Sequence, residues 1–190
     1  PWADRPLVTQ NLIAGEEGIS DAGFSLSRIV PAPKNIFLEA TGQVFRGDTE
    51  GLFRAARRSD VSAVGRLRGD HDLSESTNLD LGVSYARGQS PDAPGANQLY
   101  GIDATLRWKP LRRSIYNSFI ARTEFVWARA QVAATPDLGL FNTVARPFGY
   151  YVSGDYQLRR RWFLGGRFDR SERLTDTSLR DTGGSVLLTY

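Results

Sequence analysis

The chain contains no cysteine and no methionine, and His71 is its single histidine. Without cysteine there is no disulfide, no thiolate nucleophile and no Cys-based zinc set. With one histidine, His-dependent triads and the usual zinc ligand sets are nearly ruled out too. No run approaches the roughly 18 apolar residues that a membrane helix needs, so a helical span is excluded. Neither sign of charge dominates: 24 Lys plus Arg against 21 Asp plus Glu leaves +3. That net field is too weak to recruit a polyanion, and nucleic acid is not an expected partner. The chain opens on PWADRPLV, without the basic and apolar regions of a signal peptide. The expectation is a fragment, or a processed chain whose leader lies upstream.

What the sequence does have is alternation. Residues 100 to 127 read YGIDATLRWKPLRRSIYNSFIARTEFVW. Tyr100, Ile102, Ala104, Leu106 and Trp108 fall on one side of an extended chain, and Gly101, Asp103, Thr105, Arg107 and Lys109 on the other. That is period two, and it predicts a β-strand. After PLRRSIYN the pattern resumes, with Phe119, Ala121, Thr123, Phe125 and Trp127 against Ile120, Arg122, Glu124, Val126 and Ala128. Turn-forming clusters of Gly, Pro, Asn, Asp and Ser divide the chain into about nine strands, at roughly 22–30, 36–45, 61–70, 77–87, 98–109, 118–132, 148–159, 162–171 and 184–190. Between them the connections alternate, short then long, starting with PAPKN and RGDTEGLFRAARRSD. An up-and-down meander with tight turns on one rim and long loops on the other matches outer-membrane barrels. One helical turn around Leu52, Phe53 and Ala56 is expected within a long loop.

Alternation does not name the solvent, because a sandwich with one wet face shows it as well. The order of residues along the apolar side is more informative. Tyr100 and Trp108 bracket aliphatics, as do Phe119 with Trp127, Tyr150 with Tyr156, and Trp162 with Phe168. Aromatic rings settle at the two lipid–water boundaries. Eight steps from Tyr100 to Trp108, at ~3.3 Å and a tilt of about 40°, give roughly 20 Å of height, close to an apolar band of about 25 Å once the rings' own reach is added. The other side carries Glu39, Arg66, Arg68, Asp70, Asp80, Asp103, Arg107, Arg122, Glu124, Asp155, Arg167 and Asp169. So many charges cannot enter a dry core unless each is paired, but they can line water. The fold class expected is therefore all-β: an antiparallel up-and-down transmembrane β-barrel, as a fragment of a larger barrel. Residues 1–190 form one wall segment, with 1–20 as a loop or lead-in. A soluble ligand-binding β-domain is the alternative.

No catalytic constellation stands out, so no enzyme activity and no cofactor or metal are expected. His71, in GDHDLS, reads as a solvated turn residue, and Asp70 with Asp72 lacks the spaced oxygens of a calcium loop. The RGD tripeptides at Arg46 to Asp48 and Arg68 to Asp70 are of a length that recurs by chance. LRRRWF at Leu158 to Phe163 places arginines on a tight turn, where they meet lipid headgroups while Trp162 anchors the boundary. The charged residues of the polar side, Asp80 apart, are the lumen-lining candidates, in the role that charged rings play in pores. The alternative is that Arg122–Glu124 and Arg167–Asp169 belong to cross-strand salt bridges that stiffen the wall.

The stretch LYGIDATLRWKPLRRSIYNSFIARTEFVWAR, with DRPLVTQNLIAGEEGISDAGFSLSRIVPAP near the start, resembles a Gram-negative outer-membrane porin-like family. Its members are often labelled zinc-regulated TonB-dependent outer-membrane receptors and are similar to phosphate-selective porins. The resemblance implies a barrel of roughly 16–18 strands, of which this chain is part of the wall. It implies location in the bacterial outer membrane, the lipid bilayer and small hydrophilic solutes or ions as partners, and possible homo-oligomers. The expected function is passive diffusion of such solutes, with the barrel of a substrate-specific receptor as the alternative. No plug or energy-coupling box is visible, lysine is nearly absent from the polar side, and no individual site residue is carried over.

Overall fold

The computed structural model describes residues 5–13, 19, 21–33, 35–49, 51–57, 59–112, 115–133, 143–174 and 176–190. Its strands are β1 (Gly23–Val30), β2 (Ile36–Phe45), β3 (Ser62–Ser74), β4 (Thr77–Gln89), β5 (Ala96–Trp108), β6 (Ser118–Val132), β7 (Thr143–Ala145), β8 (Phe148–Arg159), β9 (Trp162–Glu172) and β10 (Arg180–Thr189). All ten belong to one sheet with the order β1-β2-β3-β4-β5-β6-β8-β9-β10, and β7 pairs only with β6. Every pairing is antiparallel. The chain is thus an all-β up-and-down meander. The sheet is not closed on itself, since β1 and β10 are its two edges.

The period-two reading locates every long strand. Its errors lie at the ends and in the loops. β3 and β4 run on to Ser74 and Gln89, and β10 starts at Arg180, because pairing continues past the last alternating apolar residue. β7 was not expected; it occupies part of the connection that follows β6. The strict alternation of short and long connections does not hold either. The connection 90–95, expected to be long, is shorter than 109–117 on the tight rim, since β4 and β5 extend into it. The Phe53 N–H bonds the Thr49 carbonyl oxygen at 2.9 Å and closes one turn, and Ala56 lies beyond it. His71 is not a turn residue but sits within β3, with Nδ1 2.7 Å from the carbonyl oxygen of Asn35.

The two faces of the sheet differ in what covers them. Nothing among the described residues covers the side bearing Phe24, Leu26, Val83, Ile102, Val152 and Val186, where exposure reaches 83% at Val186. The buried cluster is on the polar side, toward the rim of the long connections. There the polar face turns apolar in its last rows, with Ala86 opposite Leu99, Leu99 opposite Ala128, and Val126 close by. Two segments fold onto this patch. Leu52 and Phe53 come from the connection 46–61, and Val8 and Leu12 from the short helical stretch that includes Thr9–Ile13. The lead-in is therefore part of the packed structure over residues 5–13; the remainder of the expected lead-in lies largely outside the described residues.

Both inserts fit because the wall offers glycine where they land. A Cβ on Gly88 would be 2.5 Å from the Phe53 ring, and one on Gly149 would be 2.9 Å from Val8 Cγ2. Polar ties then fix the insert on the sheet. Asn97 donates to the Leu52 carbonyl at 2.9 Å while its own oxygen accepts the Gln131 N–H at 2.9 Å. On the other insert, Asn11 donates to Asp181 at 2.9 Å.

Burying a phenylalanine side chain contributes roughly 1.5–3 kcal/mol, and truncating one costs about 3–5 kcal/mol once the cavity is counted. Phe53→Ala is expected to release 46–61 while the sheet stays intact. New protease cleavage in that connection, with unchanged amide protection in β3 and β4, is the checkable result. At the start of β1, Asp21 accepts backbone N–H bonds from Ala22 at 2.7 Å and Asp48 at 2.8 Å. The Asp48 N–H holds this carboxyl below its ordinary value of 3.8. A depressed carboxyl stabilises above its unfolded value and ceases to as pH falls through the folded one. NMR titration is expected to place the Asp21 midpoint under 3.8 and to show the 46–48 amides shifting with it.

Candidate functional site

Register places all eleven lumen-lining candidates on one face. Glu39, Arg68, Gly82, Asp103, Glu124, Tyr151 and Asp169 form a continuous cross-strand row from β2 to β9. Toward the tight rim, Asp70, Asp80, Thr105, Arg122, Ser153 and Arg167 form the next row. Arg66 lies one row above the first, and Arg107 and Asp155 one row below the second. The shared face follows from the two-residue repeat of extended chain combined with unshifted pairing across these rows.

The charges are organised as pairs and chains. Arg66 Nη1 and Nη2 lie 2.9 Å from Asp103 Oδ1 and Oδ2, a two-pronged contact that runs from β3 to β5 across β4. It passes over Gly82, where a Cβ would sit 2.5 Å from Asp103 Oδ1 and 2.7 Å from Arg66 Nη2. The glycine is a slot for the ion pair. Asp80 is the hub of a second group. Its Oδ2 accepts Arg68 Nε at 2.9 Å and a second bond from Arg68 Nη2, and lies 3.7 Å from Arg107 Nη2. Arg107 in turn donates to Asn78 at 3.2 Å, and the Asn78 amide donates to both Asp70 at 2.8 Å and Asp72 at 3.0 Å.

Of the four residues expected in cross-strand salt bridges, Arg122 is in one: it donates to Asp155 on β8 at 2.9 Å. The reason is diagonal reach across the antiparallel pair, which long side chains have and sequence spacing hides. Arg167 does pair with Asp169, at 2.8 Å, but both stand on β9, so the contact stiffens one strand and does not join two. This pair is buried beneath the N-terminal insert, where the Arg5 carbonyl lies 3.4 Å from Arg167 Nη2. Glu124 stands between Asp103 and Tyr151 in the register.

The boundary aromatics all lie on the opposite face, and the rings meet across strands. Near the long-connection rim Tyr85 contacts Tyr100 at 5.1 Å, Trp127 contacts Phe148 at 5.2 Å, and Tyr150 contacts Phe168 at 6.2 Å. Phe125 stacks on Trp127 and Tyr150 within the same band. Toward the tight rim Phe119 contacts Tyr156 at 6.5 Å, Trp162 contacts Tyr190 at 5.0 Å, and Trp108 stands opposite Phe119. Along each strand aliphatic and small residues stand between the rings: Ile102 and Ala104 on β5, Val152 on β8 and Leu164 on β9.

Asp80, Asn78, Tyr85 and Phe148 are contributors that the site reading had not singled out. The alternation already placed Asp80 on the polar face, but its role depends on the β3–β4–β5 register. Val8 and Leu12 carried a signal in their four-residue spacing within LVTQNLI. No cluster of His, Asp and Glu suited to a metal occurs among the described residues. Comparison with family models, with curated proteins and with solved structures finds no match to this chain.

Partly exposed ion pairs contribute about 0–1 kcal/mol, whereas stripping the charge from a buried acceptor that holds two arginines costs about 1–3 kcal/mol. Gly82→Ala is therefore expected to lower stability slightly, by displacing Arg66 from Asp103, and Asp80→Asn to lower it more. Urea unfolding of the two variants checks the order; the reverse order contradicts the hub assignment.

Proposed function

We propose that this chain is a wall segment of a bacterial outer-membrane β-barrel of the porin-like kind, through which small hydrophilic solutes or ions diffuse passively. The observation that carries this reading is an uncovered apolar face bounded by two bands of touching aromatic rings, backed by a face of paired charges. Water tolerates the second face and disfavours the first; hydrocarbon reverses this. A sheet whose apolar side meets acyl chains and whose polar side meets a water-filled interior satisfies both, and rings at the two boundaries fit the interfacial preference of amphipathic aromatics.

The open edges support a larger ring. In hydrocarbon an unpaired backbone N–H or C=O has no partner, so β1 and β10 need neighbouring strands before this wall can span a membrane. The polar face carries both signs, in keeping with a diffusion channel that admits hydrated solutes. The inserts 5–13 and 46–61 narrow the interior beside that face.

Two measurements test the proposal. Reconstituted in a planar bilayer, the protein is expected to conduct ions and to show heat-modifiable mobility in gels; a monodisperse, non-conducting protein in plain buffer would refute the reading. At residue level, Ala104→Arg is expected to cost ~2–4 kcal/mol of stability in lipid vesicles, as midplane charges do on a lipid-facing strand, with Thr105→Arg much milder. Equal tolerance at the two positions contradicts the assignment of faces.

A further inference from the structure

The arginines at the centre of the polar face, Arg66, Arg68, Arg107, Arg122 and Arg167, each have a carboxylate partner. A second set on the apolar face has none. On β4, β6 and β9 an aromatic residue of the band nearer the long connections is followed two positions later by arginine: Tyr85 and Arg87, Trp127 and Arg129, Phe168 and Arg170. Two residues make one full pleat, so each arginine shares the face of its ring and stands one step closer to that rim. On β5 the same place belongs to Gln98, whose Oε1 accepts the Tyr100 hydroxyl at 3.0 Å. Arg87 is opposite Gln98, and Gln98 is opposite Arg129, whereas Arg170 is opposite Tyr150 and level in the register with Phe125, so the three follow the stagger of the ring band and not one register row. All three arginines are exposed, and among the described residues none has a carboxylate within ion-pairing distance.

The spacing gives this arrangement a physical meaning. If the rings mark the edge of hydrocarbon, two residues at ~3.3 Å and a tilt of about 40° lift each guanidinium carrier about 5 Å, into the headgroup layer. A planar guanidinium there presents a fork of donors that matches two phosphate oxygens. Arg87 and Arg129 are two strands apart, about 10 Å between backbones, so one headgroup bearing two phosphates can engage both.

We infer that Arg87, Arg129 and Arg170 form a docking row for phosphate groups of membrane lipid, on the lipid-facing side of the rim that carries the long connections. This rests on the membrane reading above. The ligand class is a phosphorylated lipid headgroup held beside the barrel, not a solute inside it. A charge near an anionic membrane surface contributes about 1 kcal/mol, roughly a factor of five in binding, so three together exceed tenfold.

The test uses the full-length protein folded in neutral maltoside micelles and in phosphatidylcholine vesicles. The probes are diphosphorylated lipid A, its dephosphorylated form and inorganic phosphate. Wild type is expected to bind the diphosphorylated lipid at least tenfold more tightly than the dephosphorylated one. The triple variant R87Q/R129Q/R170Q should lose that preference while keeping its heat-modifiable mobility, the triple lysine variant should keep most of it, and R159Q/R160Q on the other rim should leave it unchanged. Wild type that inserts into vesicles but does not distinguish the two lipids overturns the docking row and leaves the membrane reading standing. The same holds for a triple glutamine variant that still distinguishes them. Full competition by millimolar inorganic phosphate assigns the row to free anions and overturns the lipid assignment. Wild type that fails to insert at all overturns both.

Discussion

One antiparallel sheet here separates two chemically opposite surfaces, and every other feature follows from the pleat that makes this possible. Successive side chains point to opposite sides, so a strand such as β5 can put Tyr100, Ile102, Ala104, Leu106 and Trp108 on one surface and Asp103, Thr105 and Arg107 on the other with no compromise of backbone pairing. Because each strand pairs with the next without slipping through its central part, the faces add up coherently across the sheet. A single-residue slip anywhere would mix them. The bulges that do occur, near Asp72 and near Leu158, lie at the tight turns, where a change of face harms least.

The polar surface has its own order. Several of its charges are held by partners two strands away, one diagonal away or on the same strand, with Gly82 leaving room for the Arg66 to Asp103 contact. Such pairing lets a charged wall keep a fixed shape. Near the long-connection rim the same face changes character. Val126, Ala128 and Leu99 replace charges, and the chain covers them with Phe53 and Val8 from two inserts. Along this one face, paired charges therefore give way to a packed apolar patch toward the rim of the long connections.

Much of this is legible in the sequence. Period-two alternation located the long strands and both faces, because that signal is local and each strand carries it independently. The ring bands were legible for the same reason. What sequence left hidden depends on register: the hub at Asp80, the partner of Arg122, and the glycine slot at Gly82 arise only when three strands are laid side by side. β7 was missed because three residues carry too little periodicity to register. Val8 and Leu12 were passed over since a short helical stretch gains its stability from the wall it packs on, not from its own propensity.

The central claim is that the ring-bounded face meets hydrocarbon and the charged face meets water. The chain has no native cysteine, so single nitroxide labels can be placed in turn at positions 102 to 106 of the membrane-reconstituted protein. Accessibility is then read with oxygen, which concentrates in lipid, and with a nickel chelate, which stays in water. The account predicts oxygen contact at 102, 104 and 106 and chelate contact at 103 and 105, in strict alternation. Chelate contact at 102, 104 and 106, or protection of those positions from both reagents, would contradict it.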